Sequence, residues 1–336
     1  MIRDTIQTLI QGISISREEA AEAMSEIMSG DSTDAQIAAF ATALRMKGET
    51  SDEVAGMAKT MITMALQIRA PFDAIDTCGT GGDGAGTFNI STAAAFVLAG
   101  AGVPVAKHGN RAVSGSVGSA DVLEELGIRI DLQPDAVAHC FEAAGIGFMF
   151  APIFHPAMRF AASARREIGI RTIFNILGPI ANPARVTRQV IGVADARIGE
   201  LVANVQRALN AKHIIVCHGS SGLDEISLDG PTRIWELKDS VIHSYLFEPS
   251  SVLLNPSPTS PLQVASSSES AKRIISVLNG EQGPSREIVL ANAAAGMIVG
   301  GKAGNFTEAL ALCRESIDSG KAITTLKKLQ EASNKS

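Results

Sequence analysis

Cysteine is scarce and scattered: Cys78, Cys140, Cys217 and Cys313 are the only four in 336 residues, and no two form a C-x-x-C pair. Such spacing argues against a disulfide framework or a zinc site and for four reduced thiols in a cytoplasmic protein. Uncharged runs of transmembrane length are missing too, and the first apolar residues, Ile2, Ile6, Leu9 and Ile10, are interrupted by charge and amides. Neither a membrane span nor a signal peptide is expected. Basic residues are outnumbered, 29 Lys and Arg against 35 Asp and Glu. That sign argues against a general nucleic-acid or membrane surface and favours small-molecule partners. No Ser–His or Cys–His pair has a spacing that supports nucleophile and base, so positioning and charge stabilisation are the expected chemistry. Cys78, without an acidic or His neighbour in sequence, reads as a small packed residue.

What is present is an ordinary α/β composition, 46% hydrophobic and 19% charged, over a length that suggests about two domains. Residues 1–70 read as helices only. Ser16-Arg17-Glu18-Glu19 is a capping-box start, Asp34 is placed to cap a helix carrying Ile37, Phe40 and Leu44, and Ser51-Asp52-Glu53 opens another. From Ala74 short β-rich runs alternate with helix-like ones, at 103–106, 120–126, 134–144, 147–151, 155–168, 188–194, 198–209 and 213–217. This predicts a mostly parallel central sheet covered by helices, with ligands at the carboxyl ends of the strands. The Pro- and Ser-rich stretch 248–270 reads as a long, solvated, irregular connection.

The chain is organised around residues 76–124. Gly79-Thr80-Gly81-Gly82-Asp83-Gly84-Ala85-Gly86 follows a β-like run and has five glycines in eight residues, which rules out regular structure. So much glycine permits close backbone approach to a ligand and aims successive N–H groups at one point. Thr87-Phe88-Asn89-Ile90-Ser91-Thr92 then opens an alanine-rich helix, whose positive end faces the same place. A second loop repeats the arrangement: Lys107-His108-Gly109-Asn110-Arg111 adds cations, and Ser114-Gly115-Ser116-Val117-Gly118-Ser119 adds hydroxyl and backbone donors. Two anion cradles predict a ligand with phosphates at both ends.

Rival readings fit less well. Gly79, Gly81 and Gly84 satisfy G-x-G-x-x-G, yet Val105, Ala106 and Lys107 stand where a dinucleotide fold needs an acid. Neither Gly84 nor Gly86 is followed by the Lys of a Walker loop. Elsewhere, Asp224 and Glu225 present adjacent carboxylates from a loop after a buried run; alone they read as a solvated turn, beside two phosphate loops as magnesium ligands. Arg165 is a candidate two-pronged partner for a substrate carboxylate. His108 is a candidate general base or donor to the transition state, although a lone His in a basic loop is more often a hydrogen-bonding wall. Residues 171–179 read as a structural turn without chemistry.

The motifs GTGGDGAGTFNIST, VAKHGNRAVS, GSADVLEELG, RTIFNILGP and GLDEIS, in this order, resemble those of the anthranilate phosphoribosyltransferases, and the resemblance spans nearly the whole chain. It implies a small helical domain, residues 1–70 with part of 155–185, hinged to an α/β domain over 71–336, usually in a homodimer. It also implies transfer of the phosphoribosyl group of phosphoribosyl pyrophosphate to anthranilate in tryptophan biosynthesis, with release of pyrophosphate. By motif, the donor is held by Gly79, Gly82, Asp83, Thr87, Asn89, Ile90, Ser91 and Thr92, and by Lys107, His108, Gly109, Asn110, Arg111, Ala112, Val113, Ser114, Gly115 and Ser119. Lys107 and His108 are candidates for charge stabilisation. Gly79, Asn110 and Arg165 touch anthranilate, and Ser91, Asp224 and Glu225 hold two Mg2+ ions per subunit. The alternatives are a nucleoside phosphorylase on the same fold and a catalytically silent nucleic-acid-binding relative. Gly115, Phe160, Ser163 and Ser221 depart from residues frequent in that family.

Overall fold

The computed structural model describes residues 1–71, 73–112, 117–252 and 254–335; Val113, Ser114 and Gly115, named above for the donor, lie outside them. The chain begins with four helices, α1 (Ile2–Leu9), α2 (Arg17–Ser29), α3 (Asp34–Lys47) and α4 (Ser51–Met64). Three of them start on capping boxes, Ser16 with Glu19, Thr33 with Gln36 and Thr50 with Glu53. Each box satisfies two otherwise orphaned N–H groups. Thr33, not Asp34, is the cap of α3, because its hydroxyl accepts from Gln36 N while Asp34 is already helical.

The α/β part follows in the order β1 (Asp76–Gly79), α5 (Ile90–Gly100), β2 (Val105–Gly109), α6 (Ser119–Glu125), α7 (Pro134–Ala144), β3 (Ile146–Phe150), α8 (Ala151–Phe154), α9 (Arg159–Ile168), α10 (Ile173–Ile180), β4 (Arg188–Gly192), α11 (Gly199–Ala208), β5 (His213–Gly219), β6 (Thr232–Lys238), β7 (Val241–Phe247), α12 (Ser267–Leu278), α13 (Pro284–Val299), α14 (Phe306–Asp318) and α15 (Lys321–Asn334). The main sheet has the order β1-β4-β5-β6-β7. It is parallel across β1, β4 and β5 and antiparallel across β5, β6 and β7. The parallel pair β2–β3 continues it through a bridge between Ile75 and Val105. β1, β2 and β4 therefore end on the same side, and that side carries the glycine loops.

Three further expectations need correction. The run 155–168 is not one helix: Pro156 opens a separate turn over Pro156–Met158 before α9 begins. Residues 171–179 are not a turn, since Thr172 caps α10 and Asn175 Oδ1 accepts from Thr172 N at 2.9 Å. The stretch 248–270 is more than a solvated linker. Leu262 is buried, Phe88 N donates to Leu262 O at 3.0 Å, and Val264 N donates to Gly86 O at 2.9 Å, so this segment backs the first glycine loop.

Two cores hold the fold. One lies around α5 and α13, which pack closely through small residues; a Cβ on Gly296 would fall 2.5 Å from Leu98 Cδ1. The other joins α1–α4, α9 and α10 to one face of the main sheet, with Ile37, Phe40, Met57 and Phe174 in the same cluster as Ile191, Val216 and Trp235. The helical part thus shares its core with the sheet, and α9 and α10 pack against α2, α3 and α4. Among the described residues no helix is long and apolar enough to cross a membrane.

Candidate active site at the strand ends

The first loop leaves β1 with Gly81, Gly82, Gly84 and Gly86 all at positive φ, between 62° and 73°. That left-handed region is strained for residues with a side chain. Its backbone is held by the acidic loop that follows β5. Gly81 N donates to Asp224 Oδ2 at 2.7 Å, and Ser91 N, in the first turn of α5, donates to Glu225 Oε1 at 3.1 Å. The acidic loop is fixed from behind, where Asn292 on α13 accepts from Ile226 N at 2.8 Å and donates to Ile226 O at 3.0 Å. One side chain thus satisfies both backbone groups of the residue after Glu225.

Negative charge is concentrated here. Burial, followed by the neighbouring Asp83 carboxylate, pushes the Asp224 carboxyl up to about 7. Burial and Asp224 push Glu225 up to about 8, with Lys107 acting in the opposite direction. Among the described residues no three His, Cys, Asp or Glu side chains form a protein-only metal cage. Repelling carboxylates with oxygen donors alone suit a hard divalent cation that completes its shell with water and phosphate.

The second loop meets the first through Asn89, whose Nδ2 donates to Val117 O at 2.8 Å while Ser270 Oγ donates to its Oδ1 at 2.8 Å. At the base of the site Lys107 is buried, with Nζ against the Thr77 carbonyl and 3.4 Å from Ser91 Oγ. Asp76 lies beneath it, accepting from Asn182 Nδ2 at 2.8 Å and from His108 N at 3.3 Å. Burial lowers the Lys107 pKa, and the Asp76 charge opposes that shift. Cys78 is packed beside them, its thiol pushed well above the ordinary value by burial and Asp76.

His108 is held as a neutral ring. It is buried edge-on to His155, with ring centroids 5.1 Å apart. Burial and that neighbour lower its pKa to about 3, and burial lowers His155 to about 4, so both rings are neutral at pH 7. Arg111 points along α6, pairing with Asp121 at 3.0 Å and with Glu124. Asp121 also accepts from Ala112 N and Gly118 N at 3.1 and 3.0 Å, which closes the second loop's ends. Gly109 admits Ser119: a Cβ there would fall 2.1 Å from Ser119 Oγ. Thr92 and Ile90 are buried under the first turn of α5, and Thr87 bridges to Gln263.

Arg165 on α9 is half-buried, with its guanidinium 5.5 Å from the centre of the Phe174 ring, and burial lowers its pKa. Among the described residues no carboxylate pairs with it. Sequence reasoning missed Arg171. Its Nη2 donates to Thr80 O at 2.8 Å, and a Cβ on Gly82 would fall 1.8 Å from its Nη1. It also missed Asn182 and Asn292, whose roles lie entirely in tertiary hydrogen bonds.

Comparison with known proteins matches this architecture over its whole length. The family model described as "Glycosyl transferase family, helical bundle domain" matches residues 3–65, and "Glycosyl transferase family, a/b domain" matches residues 72–323. A protein of Thermomicrobium roseum named anthranilate phosphoribosyltransferase is 51% identical, covering 99% of this chain and 97% of its own length. The crystal structure of anthranilate phosphoribosyltransferase from Thermus thermophilus superposes with a TM-score of 0.94 at 38% identity, covering 98% of this chain and 99% of that one. The Saccharomyces cerevisiae enzyme of the same name, in complex with PRPP and Mg, gives 0.91 at 26% identity, covering 100% and 98%.

Proposed function

Since the chain belongs to the anthranilate phosphoribosyltransferase family, we propose how its residues divide the transfer of a phosphoribosyl group from phosphoribosyl pyrophosphate to anthranilate. The observation that carries the assignment is the pair of bonds from Gly81 N to Asp224 and from Ser91 N to Glu225, which join the first glycine loop to the acidic loop.

In this reading the donor lies across both loops. Gly79, Gly82, Asp83, Thr87, Asn89, Ser91 and Thr92 hold it on the first side, and Lys107, Gly109, Asn110, Arg111, Ala112 and Ser119 on the second. Ile90 shapes the floor and His108 is a neutral wall. Ser91 with Glu225, and Asp224 with Glu225, are the ligands for two magnesium ions. Bound magnesium would neutralise charge on the departing pyrophosphate. The chain's own part is to aim loop N–H groups and the positive end of α5 at the leaving oxygens, in a site where such donors count for more than in water.

The anthranilate nitrogen forms a bond to ribose carbon 1 as the bond from that carbon to pyrophosphate oxygen breaks, and the amine proton leaves to water. An aromatic amine is neutral at pH 7, so no strong base is needed, in keeping with a His108 ring that stays neutral on both sides of that pH. Arg165 orients the acceptor carboxylate, with Gly79 and Asn110 beside the ring. Holding both reactants in line contributes on the order of 7 kcal/mol in favourable cases. Residues 1–70, with part of 155–185, form the unit that closes over the α/β part, and the enzyme works in the cytoplasm as a homodimer.

Loss of anthranilate fluorescence on mixing the protein with phosphoribosyl pyrophosphate tests the reading. Magnesium-dependent loss is expected. No loss, with the donor shown to bind, would mean that the acceptor is a different molecule.

A further inference from the structure

We propose that Arg171 is a positioning residue for the phosphoribosyl donor, tying the donor loop to the helical part of the molecule. The proposal rests on the reading above and concerns a side chain that the reading does not use.

Three observations converge on it. First, the guanidinium lies flat against the first loop: Nη2 donates to Thr80 O at 2.8 Å, and Nη1 occupies the space that a side chain on residue 82 would need. Gly82 is thus required twice, for its φ of 73° and for the Arg171 head. Second, Thr80 is a fixed point of the sheet's edge. Its N–H donates to Gly192 O at 2.9 Å, and its hydroxyl accepts from Ala194 N at 3.2 Å. Arg171 therefore grips a residue whose other polar groups are committed to the end of β4 and to Ala194 just beyond it. Third, Arg171 leaves the chain between α9 and α10, the two helices that pack with α2, α3 and α4. Arg165, on the acceptor side, sits in the last turn of the same α9.

The guanidinium is not bound to a carboxylate by any ion pair among the described residues, and its contacts are with the loop backbone at Thr80 and Gly82. A cation against the loop backbone holds Gly82 in the left-handed conformation that turns its N–H toward the phosphate site, while Gly81 N stays bonded to Asp224. A planar fork does this better than a point charge, because one edge bonds the carbonyl while the other fills the space over the glycine.

The test is equilibrium titration of phosphoribosyl pyrophosphate with magnesium into the wild-type protein, Arg171→Ala and Arg171→Lys, with steady-state kinetics and thermal melting alongside. Wild type is expected to bind, and Arg171→Ala to lose about tenfold or more in donor affinity, the scale of one charge-assisted hydrogen bond. The anthranilate KM should stay unchanged, and Arg171→Lys should recover part of the loss. Equal donor affinity in wild type and Arg171→Ala would overturn the proposal. So would a loss confined to kcat or to the anthranilate KM, or a Lys variant no better than Ala at equal melting temperature. A wild-type protein that fails to bind the donor would instead overturn the reading on which the proposal rests.

Discussion

The backbone carbonyl of Asp224 rests against the α-carbon of Gly192, so closely that a Cβ on Gly192 would fall 1.5 Å from the oxygen. Gly192 ends β4, and its lack of a side chain sets how near the acidic loop approaches β1. Gly192→Ala should push the Asp224–Glu225 loop outward, at a stability cost of about 1–3 kcal/mol for overpacking. The expected kinetic sign is a higher magnesium concentration for half-maximal turnover, with the anthranilate KM unchanged. A magnesium titration that superposes on wild type would show that the loop finds its position without that contact.

Asp224→Asn and Glu225→Gln should abolish most magnesium-dependent turnover and, in metal-free protein, raise the melting temperature. Both carboxyls titrate near 7 and 8 in the folded chain, above their ordinary values, so the native state keeps protons that the unfolded chain has already released. The penalty is absent below about pH 4, grows as pH rises, and is complete above about pH 8. The variants' thermal advantage should grow from pH 5 to pH 8 and vanish when wild type is saturated with magnesium. An advantage that shrinks with rising pH would contradict the assigned shifts.

For Arg165→Ala the expectation is a raised anthranilate KM, with the donor KM nearly constant. The half-buried guanidinium over Phe174 has no carboxylate partner among the described residues, so its removal strands no buried anion and folding should be little affected. The reverse pattern in the two KM values would mean that the subsites are exchanged.

The glycine loops, the helix after them and the Asp224–Glu225 pair were legible because each is encoded locally. Consecutive glycines allow few regular structures, and capping boxes such as Ser16 with Glu19 declare a helix start within four residues. The hairpin of β6 and β7 is not legible in the same way. Residues 232–238 do alternate, but the turn uses Asp239 and Ser240 at positive φ, without the glycine that usually announces it. β7 is an edge strand with Val241, Tyr245 and Leu246 exposed, so its pattern carries no inward face. For His108 the sequence leaves several roles open between the cations Lys107 and Arg111; only the fold brings His155 against it. Arg171 is hidden for the same reason, because Gly82 signals that something approaches closely and cannot say what.

The order of strands in the sheet also bears on how the protein acquires its site. β5, β6 and β7 are consecutive neighbours, whereas β1 docks on β4 across a separation typified by Asp76 and Gln189, 113 residues apart, and Gly81 meets Asp224 across 143. A nascent chain therefore carries β1 unpaired until β4 has been made, and the acidic loop after β5 is made later still, whereas the β6–β7 hairpin can form from local contacts as soon as it emerges. Until that strand docks, the first glycine loop and the acidic loop that it meets remain on separate parts of the chain. Completion of the sheet and acquisition of the ability to bind are then the same event, so donor binding reports that the slowest, least local pairing has closed.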